Sequence, residues 1–316
     1  MKHDFPAIGL GRLCALFGKT RGAIYDHKKR LQYDGFEEDI ILQYVVQLRT
    51  QLPRLGTRKL HYMLGPLLRE HHIVIGRDYL FDLLDSHKLL IRQRKRHVIT
   101  TNSRHWMHRY NNLIKEMVIA RPEQVWVSDI TYVRLSNQWG YLSLITDAYS
   151  RKIMGFGFRT DLSAQGCTQA LEMALKQRIY PNNLLIHHSD RGSQYCSAAY
   201  VDLLTENRII ISMTENGDPY ENALAERMNG ILKAEFNLYE SHIGFDATHQ
   251  RITASIKAYN EQRPHNSCNL LTPEQAHLLQ GRLVKKWKEY PKKWVVKTQD
   301  KNKSPLPDPY GQRLIT

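Results

Sequence analysis

Apolar positions in the first hundred residues recur at helical spacing. Leu10, Leu13, Cys14 and Phe17 predict a helix over 9–17. Gly18 breaks the run, Thr20 is placed to cap, and a second short helix follows with Ile24 and Tyr25. That second helix carries Arg21, Lys28 and Lys29, and helix, tight turn and short basic helix form the outline of a helix-turn-helix. Ile40, Ile41, Tyr44, Val45 and Leu48 predict a further helix over 36–50. Another enters behind Gly56 with Arg58 and Lys59, and a short one is predicted over 76–87. The charged stretch 92–97 and the polar residues after it read as a linker.

The period changes at Val125. VWVSDITYVRL is rich in β-branched and aromatic residues and has the length of a strand; Asn137 then serves as a turn before a second strand from Trp139, and KIMGFGFRT supplies a third. Short links between them predict an antiparallel meander. A helix over 163–179 turns Cys167, Leu171, Ala174 and Leu175 inward and stops before Pro181. LLIHH is a short buried strand, 197–206 a helix and 209–213 a fifth strand. The next helix opens on Asp218 as N-cap, with Pro219 in its first turn and Glu221 closing a capping box. Leu224, Met228, Ile231 and Leu232 form its apolar stripe. A last helix over 247–261 carries Ile252, Ile256 and Tyr259 and ends before Pro264. This order is that of a ribonuclease-H-like α/β core with a five-stranded mixed sheet. We therefore expect a helical DNA-binding region over 1–118, a catalytic core over 119–280 and a basic aromatic tail over 281–316.

Charge narrows the partner. Lys and Arg number 45 against 31 Asp and Glu, a net charge of +14 that favours a polyanion. The four cysteines are scattered, form no Cys-x-x-Cys pair and suggest a reducing compartment. No apolar run reaches membrane-spanning length and no secretory leader is apparent, so a soluble cytoplasmic protein is expected. From Arg282 to Lys303 the tail holds nine Lys or Arg against Glu289 and Asp300. Lys285, Lys286, Lys292 and Lys293 there are candidates for phosphate contact, with Trp287 and Trp294 packing or stacking beside them.

Three acids stand in distinctive places. Asp129 lies within the first strand, where an unpaired carboxylate is costly. Asp190 directly follows the LLIHH strand, at the edge where open sheets bind ligands. Glu226 follows Asp190 with 35 residues between them, and Asn222, Glu226, Asn229 and Lys233 share the helix face opposite the apolar stripe. Gathered at one end of the sheet, the acids would hold two Mg²⁺ ions, with Mn²⁺ as a substitute, and would suit in-line displacement at phosphorus. Asp129 would bridge both ions, and Asp190 and Glu226 would each complete one shell. Lys233, Asn222 and Asn229 would contact DNA. His187 and His188 lack a Cys or His partner at zinc-ligand spacing. Arg21, Lys28 and Lys29 are further expected DNA contacts, with Arg58 and Lys59 after them.

Several stretches together resemble the insertion-sequence transposases of the retroviral-integrase-like group, specifically the OrfB product. They are WVSDITY (126–132), DAYSR (147–151), HSDRGSQY (188–195), YENALAE (220–226) with Lys233, and YNEQRPH (259–265) followed by TPE (272–274). RLGTRK (54–59) and the segment near 90–94 resemble the family's helical N-terminal part. The resemblance implies that Asp129, Asp190 and Glu226 are the metal-binding triad and that Lys233 is the family's lysine seven residues past the glutamate. It implies cleavage at element ends, strand transfer into target DNA, and a homo-oligomer on DNA. In that family the upstream OrfA-like product commonly supplies a helix-turn-helix and a zipper, and no heptad run is present here. A hydrolytic nuclease on the same fold and an inactive DNA-binding regulator are the alternative readings.

Overall fold

The structure is a computed structural model that describes residues 9–92, 108, 110–115, 117–215, 222–238 and 243–284, with backbone alone for 27–34. The expected linker over 92–97 lies outside it apart from Arg92. Four helices open the described chain: α1 (Leu10–Leu16), α2 (Arg21–Gln51), α3 (Thr57–Glu70) and α4 (Arg77–Ser86). Thr20 caps α2 as expected, its hydroxyl accepting from the Ala23 N–H at 3.2 Å. The expected break near residue 35 does not occur, and the short basic helix is the first part of one 31-residue helix. The stretch holds no proline. Gly35 alone costs only about 1 kcal/mol inside a helix, too little to stop one whose later turns are buried. Those turns pack Ile41 and Val45 against Leu60, Leu64 and Leu68 of α3 and Leu80 and Leu84 of α4.

The sheet contains β1 (Val125–Arg134), β2 (Trp139–Asp147), β3 (Ile153–Arg159), β4 (Ile186–Ser189) and β5 (Ile210–Met213). Their spatial order is β3-β2-β1-β4-β5. The meander β1-β2-β3 is antiparallel, and β4 and β5 run parallel to β1. Helices α5 (Ala164–Lys176) and α6 (Ala198–Glu206) supply the inter-strand connections; α7 (Ala223–Glu235), α8 (Phe245–Gln262) and the short α9 (Pro273–Ala276) follow.

Strand alternation divides the core between two faces. Trp126 and Ile145 meet Cys167, Leu171 and Ala174 of α5 and Tyr200 of α6. Val133, Leu142, Leu144, Phe156 and Phe158 join Met228 and Leu232 of α7 and Ile252 and Tyr259 of α8. That second cluster is continuous with the apolar core of α2, α3 and α4. Gly155 and Gly157 let α5 lie on the sheet. A Cβ at either would stand 2.1 Å from the Ala170 carbonyl oxygen or 2.0 Å from that of Gly166.

Helix α7 starts at Ala223 with Asn222 as its N-cap residue. The expected cap at Asp218, with Pro219 and Glu221, lies outside the described residues. Among the described residues no helix is long and apolar enough to cross a membrane.

Candidate active site

Asp129 occupies the middle of β1 on the face that meets α7. Its neighbour Ser128 points the other way, to within 2.7 Å of His187 Nε2, which also lies 2.8 Å from the Tyr200 hydroxyl. Parallel pairing of β1 with β4 matches Val125 to Ile186, Trp126 to His187 and Val127 to His188. Continuing that register by two residues carries Asp190, just past the end of β4, alongside Asp129. Strand alternation and parallel pairing thus bring together two acids separated by 60 intervening residues.

Each carboxylate is held by a local donor. Asp129 accepts from the Ile130 N–H at 2.9 Å through Oδ1 and from the Asn229 side-chain amide at 2.7 Å through Oδ2. Asp190 accepts from the Gly192 N–H at 3.0 Å. A Cβ at Gly192 would lie 3.0 Å from that same Asp190 oxygen, so the glycine of the DRG sequence lets the loop fold back onto the carboxylate. Burial pushes the Asp129 carboxyl up to about 7, and the charges of Asp190 and, more weakly, Glu226 push the same way. The Asn229 and Ile130 hydrogen bonds oppose this. Like-charged oxygens crowded in this way favour a proton or a cation between them.

The remaining predicted residues divide sharply. Glu226 sits exposed in the first turn of α7. Among the described residues no three His, Cys, Asp or Glu side chains are gathered closely enough to hold one ion. The two aspartates are therefore the assembled part of the expected cage. Lys233 is half-buried on the Asp129 side of α7; burial holds its ammonium down near 8 while the Asp129 charge pulls it up.

The two asparagines are not exposed DNA contacts. Asn229 is 5% exposed and bonded to Asp129, and Asn222, 6% exposed, donates to the Ser128 carbonyl at 3.0 Å. Both tie α7 to β1, and a polar stripe in sequence cannot distinguish that from a face open to DNA. Lys59 also has a different role: it is half-buried, 3.5 Å from Glu235 at the end of α7. Arg21 and Arg58 are exposed. The side chains of Lys28 and Lys29, and all of Lys285, Lys286, Lys292 and Lys293, lie outside the described residues. His187 is wholly buried, and burial followed by the His188 charge holds it near 3, which leaves it a neutral core residue.

Two buried polar clusters escaped the sequence reading. Glu123 and Asp147 are fully buried and flank His277, whose Nε2 is 3.5 Å from Glu123 and whose Nδ1 is 3.8 Å from Asp147. Arg178 and the N–H groups of Ile179 and Tyr180 also bond Glu123. This cluster fastens the segment after α9 to the start of β1 and the end of β2. In the second, Arg263 grips Glu235 through two bonds of 2.7 and 2.6 Å. Asn260 pairs its side-chain amide with both the N–H and the carbonyl of Ile153, each at 2.9 Å. Of these residues only Asp147, inside DAYSR, and Asn260 and Arg263, inside YNEQRPH, fall in the stretches singled out above, and nothing in the sequence pairs them with Glu123, Glu235 or His277.

A ribonuclease-H-like sheet with paired aspartates at β1 and β4 defines the class of the protein. Two segments match the integrase core domain family, over residues 119–219 and 207–273. The insertion element IS600 uncharacterized 31 kDa protein of Shigella sonnei is 33% identical over 269 residues, covering 83% of this chain and 96% of that one. Transposase InsF for insertion sequence IS3A of Escherichia coli is 36% identical over 166 residues, spanning 52% of this chain and only 57% of InsF. A simian T-cell lymphotropic virus intasome chain aligns at 19% identity and a TM-score of 0.45, over 75% of this chain and 77% of that one. This chain belongs to the insertion-sequence transposases built on a retroviral-integrase-like core.

Proposed function

We infer that Asp129, Asp190 and Glu226 are the catalytic carboxylates of a DNA transposase that cleaves element ends and joins the freed 3′-hydroxyl to target DNA. The observation that carries this reading is the β1–β4 register, which sets Asp190 beside Asp129 under α7. The residues fit a divalent cation. Their donors are hard carboxylate oxygens, and their charges repel one another across a half-buried site. Asp129 and Asp190 would hold Mg²⁺ or Mn²⁺, and Glu226 would complete the shell by moving inward from its exposed position on α7. Two such ions would lower the pKa of the attacking hydroxyl and neutralise charge on the leaving 3′-oxygen.

The chain's own groups do the positioning. Asn229 fixes one oxygen of Asp129 and leaves the other carboxylate oxygen toward Ile130. Asn222 anchors the start of α7, the helix that carries Glu226, to β1, the strand that carries Asp129. Lys233 brings a positive charge to the same face of α7, where it would meet a DNA phosphate once the carboxylate charge is neutralised. Arg21 and Arg58, with Lys28 and Lys29 and the tail lysines Lys285, Lys286, Lys292 and Lys293, would supply salt-dependent contacts to the DNA backbone. Holding two element ends together calls for a homo-oligomer on DNA, and an upstream OrfA-like product would assist in recognising those ends. The working compartment would be the bacterial cytoplasm, at the nucleoid.

The test is joining of a 3′-hydroxyl DNA end to plasmid in Mg²⁺ or Mn²⁺. Asp129→Asn, Asp190→Asn and Glu226→Gln should each abolish it. Cleavage without joining would instead support a hydrolytic nuclease.

A further inference from the structure

A second polar cluster lies around Tyr259, on the α8 side of α7. The Tyr259 hydroxyl donates to the Arg151 carbonyl at 3.0 Å. The Arg263 guanidinium sits over its ring at 5.4 Å, and the His265 ring centre is 6.5 Å away. Arg151 Nε and His265 Nδ1 share the Ser267 hydroxyl, at 3.3 and 2.6 Å.

Three nitrogens in this cluster are buried and lack a hydrogen-bond partner among the described residues: Arg151 Nη1, Arg263 Nη1 and His265 Nε2. All three are donors. The two guanidinium nitrogens can only donate. His265 Nδ1 accepts from the Ser267 N–H, which places the ring proton of the neutral imidazole on Nε2. Burial, then the charges of Arg263, Arg151, Lys59 and Arg227, hold His265 near 2, so the ring is neutral. Buried polar groups in folded proteins almost always find partners, and a set made only of donors calls for an acceptor.

The charges agree with that requirement. Arg151, Arg263, Lys59 and Arg227 bear on this locus. Glu235 answers Arg263 and Lys59, and Asp147 bears on Arg151. Asp147 is already engaged by Ser150, by the Glu123 N–H and by His277. Exposure is graded: Arg263 and His265 are buried, Lys59 and Arg151 half-buried, and Arg227 exposed. A ligand entering past Arg227 would meet cations first and the unpartnered donors last.

The geometry points to a phosphate seat formed by Arg151, Arg227, Arg263 and His265, separate from the carboxylate site and reached around α7 from it. Its ligand is a phosphate monoanion or diester, and the donor set is the same for a DNA backbone phosphate and for free phosphate. Assignment to the DNA backbone rests on the proposed transposase function, because Arg227 directly follows Glu226 on α7. A strand lying across α7 would then be held on both of its flanks.

Selective ¹⁵N-histidine labelling of the full chain tests this by following the His265 Nε2–H resonance, assigned by its loss in His265→Asn. Inorganic phosphate and a short DNA duplex are titrated separately. A saturable shift with both, weakened about tenfold in the exposed-site variant Arg227→Ala, supports a backbone seat. The same variant should lower the salt slope of DNA binding by about one. A shift with inorganic phosphate alone supports a seat for free phosphate. An unmoved resonance, or one that moves equally in Arg227→Ala, overturns the proposal. Asp129→Asn separates this test from the transposase reading: it should lose joining and keep the His265 response. An absent response with joining intact would remove the seat and leave the catalytic assignment standing.

Discussion

The side-chain amide of Asn229 donates to Asp129 at 2.7 Å from the turn of α7 that follows Glu226. One helix therefore carries the third proposed metal ligand and also the group that orients the first. Replacing Asn229 with Ala should free the Asp129 carboxylate to rotate. Losing a group that orients a metal ligand typically costs about 10–100-fold in metal affinity or activity. The expected result is weakened joining that partly recovers at raised Mn²⁺, with near-native circular dichroism. Joining that is unaffected at limiting Mn²⁺ would show that Asp129 needs no such support.

Asp129 makes the metal-free protein less stable at neutral pH. Its folded-state pKa near 7 stands above the unfolded value of about 3.9. The folded state thus binds the proton more tightly, and stability falls as pH rises between those two values. Asp129→Asn removes this loss. Its melting temperature without metal should exceed that of the parent at pH 8 by roughly 2–4 °C per kcal/mol regained. Added Mn²⁺ should raise the parent more than the variant. Calorimetry with and without chelator checks both.

The His277 cluster should impose the opposite arrangement of charge. Burial alone would lower the His277 pKa, but the Asp147 and Glu123 carboxylates on either side of the ring outweigh it and hold the value above normal. Its stabilisation is complete below the unfolded pKa of about 6.5 and is lost as pH rises through the higher folded value. Glu123 adds a second limit. Burial would raise it, yet His277, the Ile179 N–H and Arg178 hold it low, so its contribution is lost as pH falls through that lowered value. His277→Gln leaves the buried Asp147 carboxylate without its cation and Glu123 with Arg178 alone, and should cost about 3–5 kcal/mol. Its melting temperature should lack the decline expected of the parent above about pH 6.5.

Much of the core was legible because strands and helices announce themselves by period. The five strands and α5, α6 and α8 fall close to where alternation and helical spacing put them. Asp129 and Asp190 were legible because their strands could be recognised, and parallel pairing then fixes their separation. The long α2 was read as two helices, a short basic one and another over 36–50, because the polar stretch between them carries no apolar period; burial of Ile41 and Val45 keeps one helix going. The asparagines were misread because periodicity locates a polar stripe and says nothing of what covers it. Asn229 faces a strand 100 residues earlier in the chain. The clusters around His277 and Arg263 were invisible for the same reason: each draws its charges from segments far apart in sequence.

Gly157 offers a test of how tightly α5 must seat on the sheet. A methyl group there would meet the Gly166 carbonyl oxygen at 2.0 Å, and backbone cannot move aside as a side chain can. Gly157→Ala should lower stability by more than the roughly 1–3 kcal/mol usual for overpacking. Gly230→Ala, in the middle of α7 with nothing within 4 Å of the added carbon, should be neutral or stabilising. Urea unfolding of the two variants compares them directly.

The central claim concerns where a divalent ion sits. A crystal structure soaked in Mn²⁺, with anomalous scattering used to locate the metal, tests it most directly. The account predicts manganese between Asp129 and Asp190, with the Glu226 carboxylate drawn in from the surface of α7 to complete the shell. Manganese bound elsewhere, or a fully occupied site that leaves Glu226 out in solvent, would contradict it.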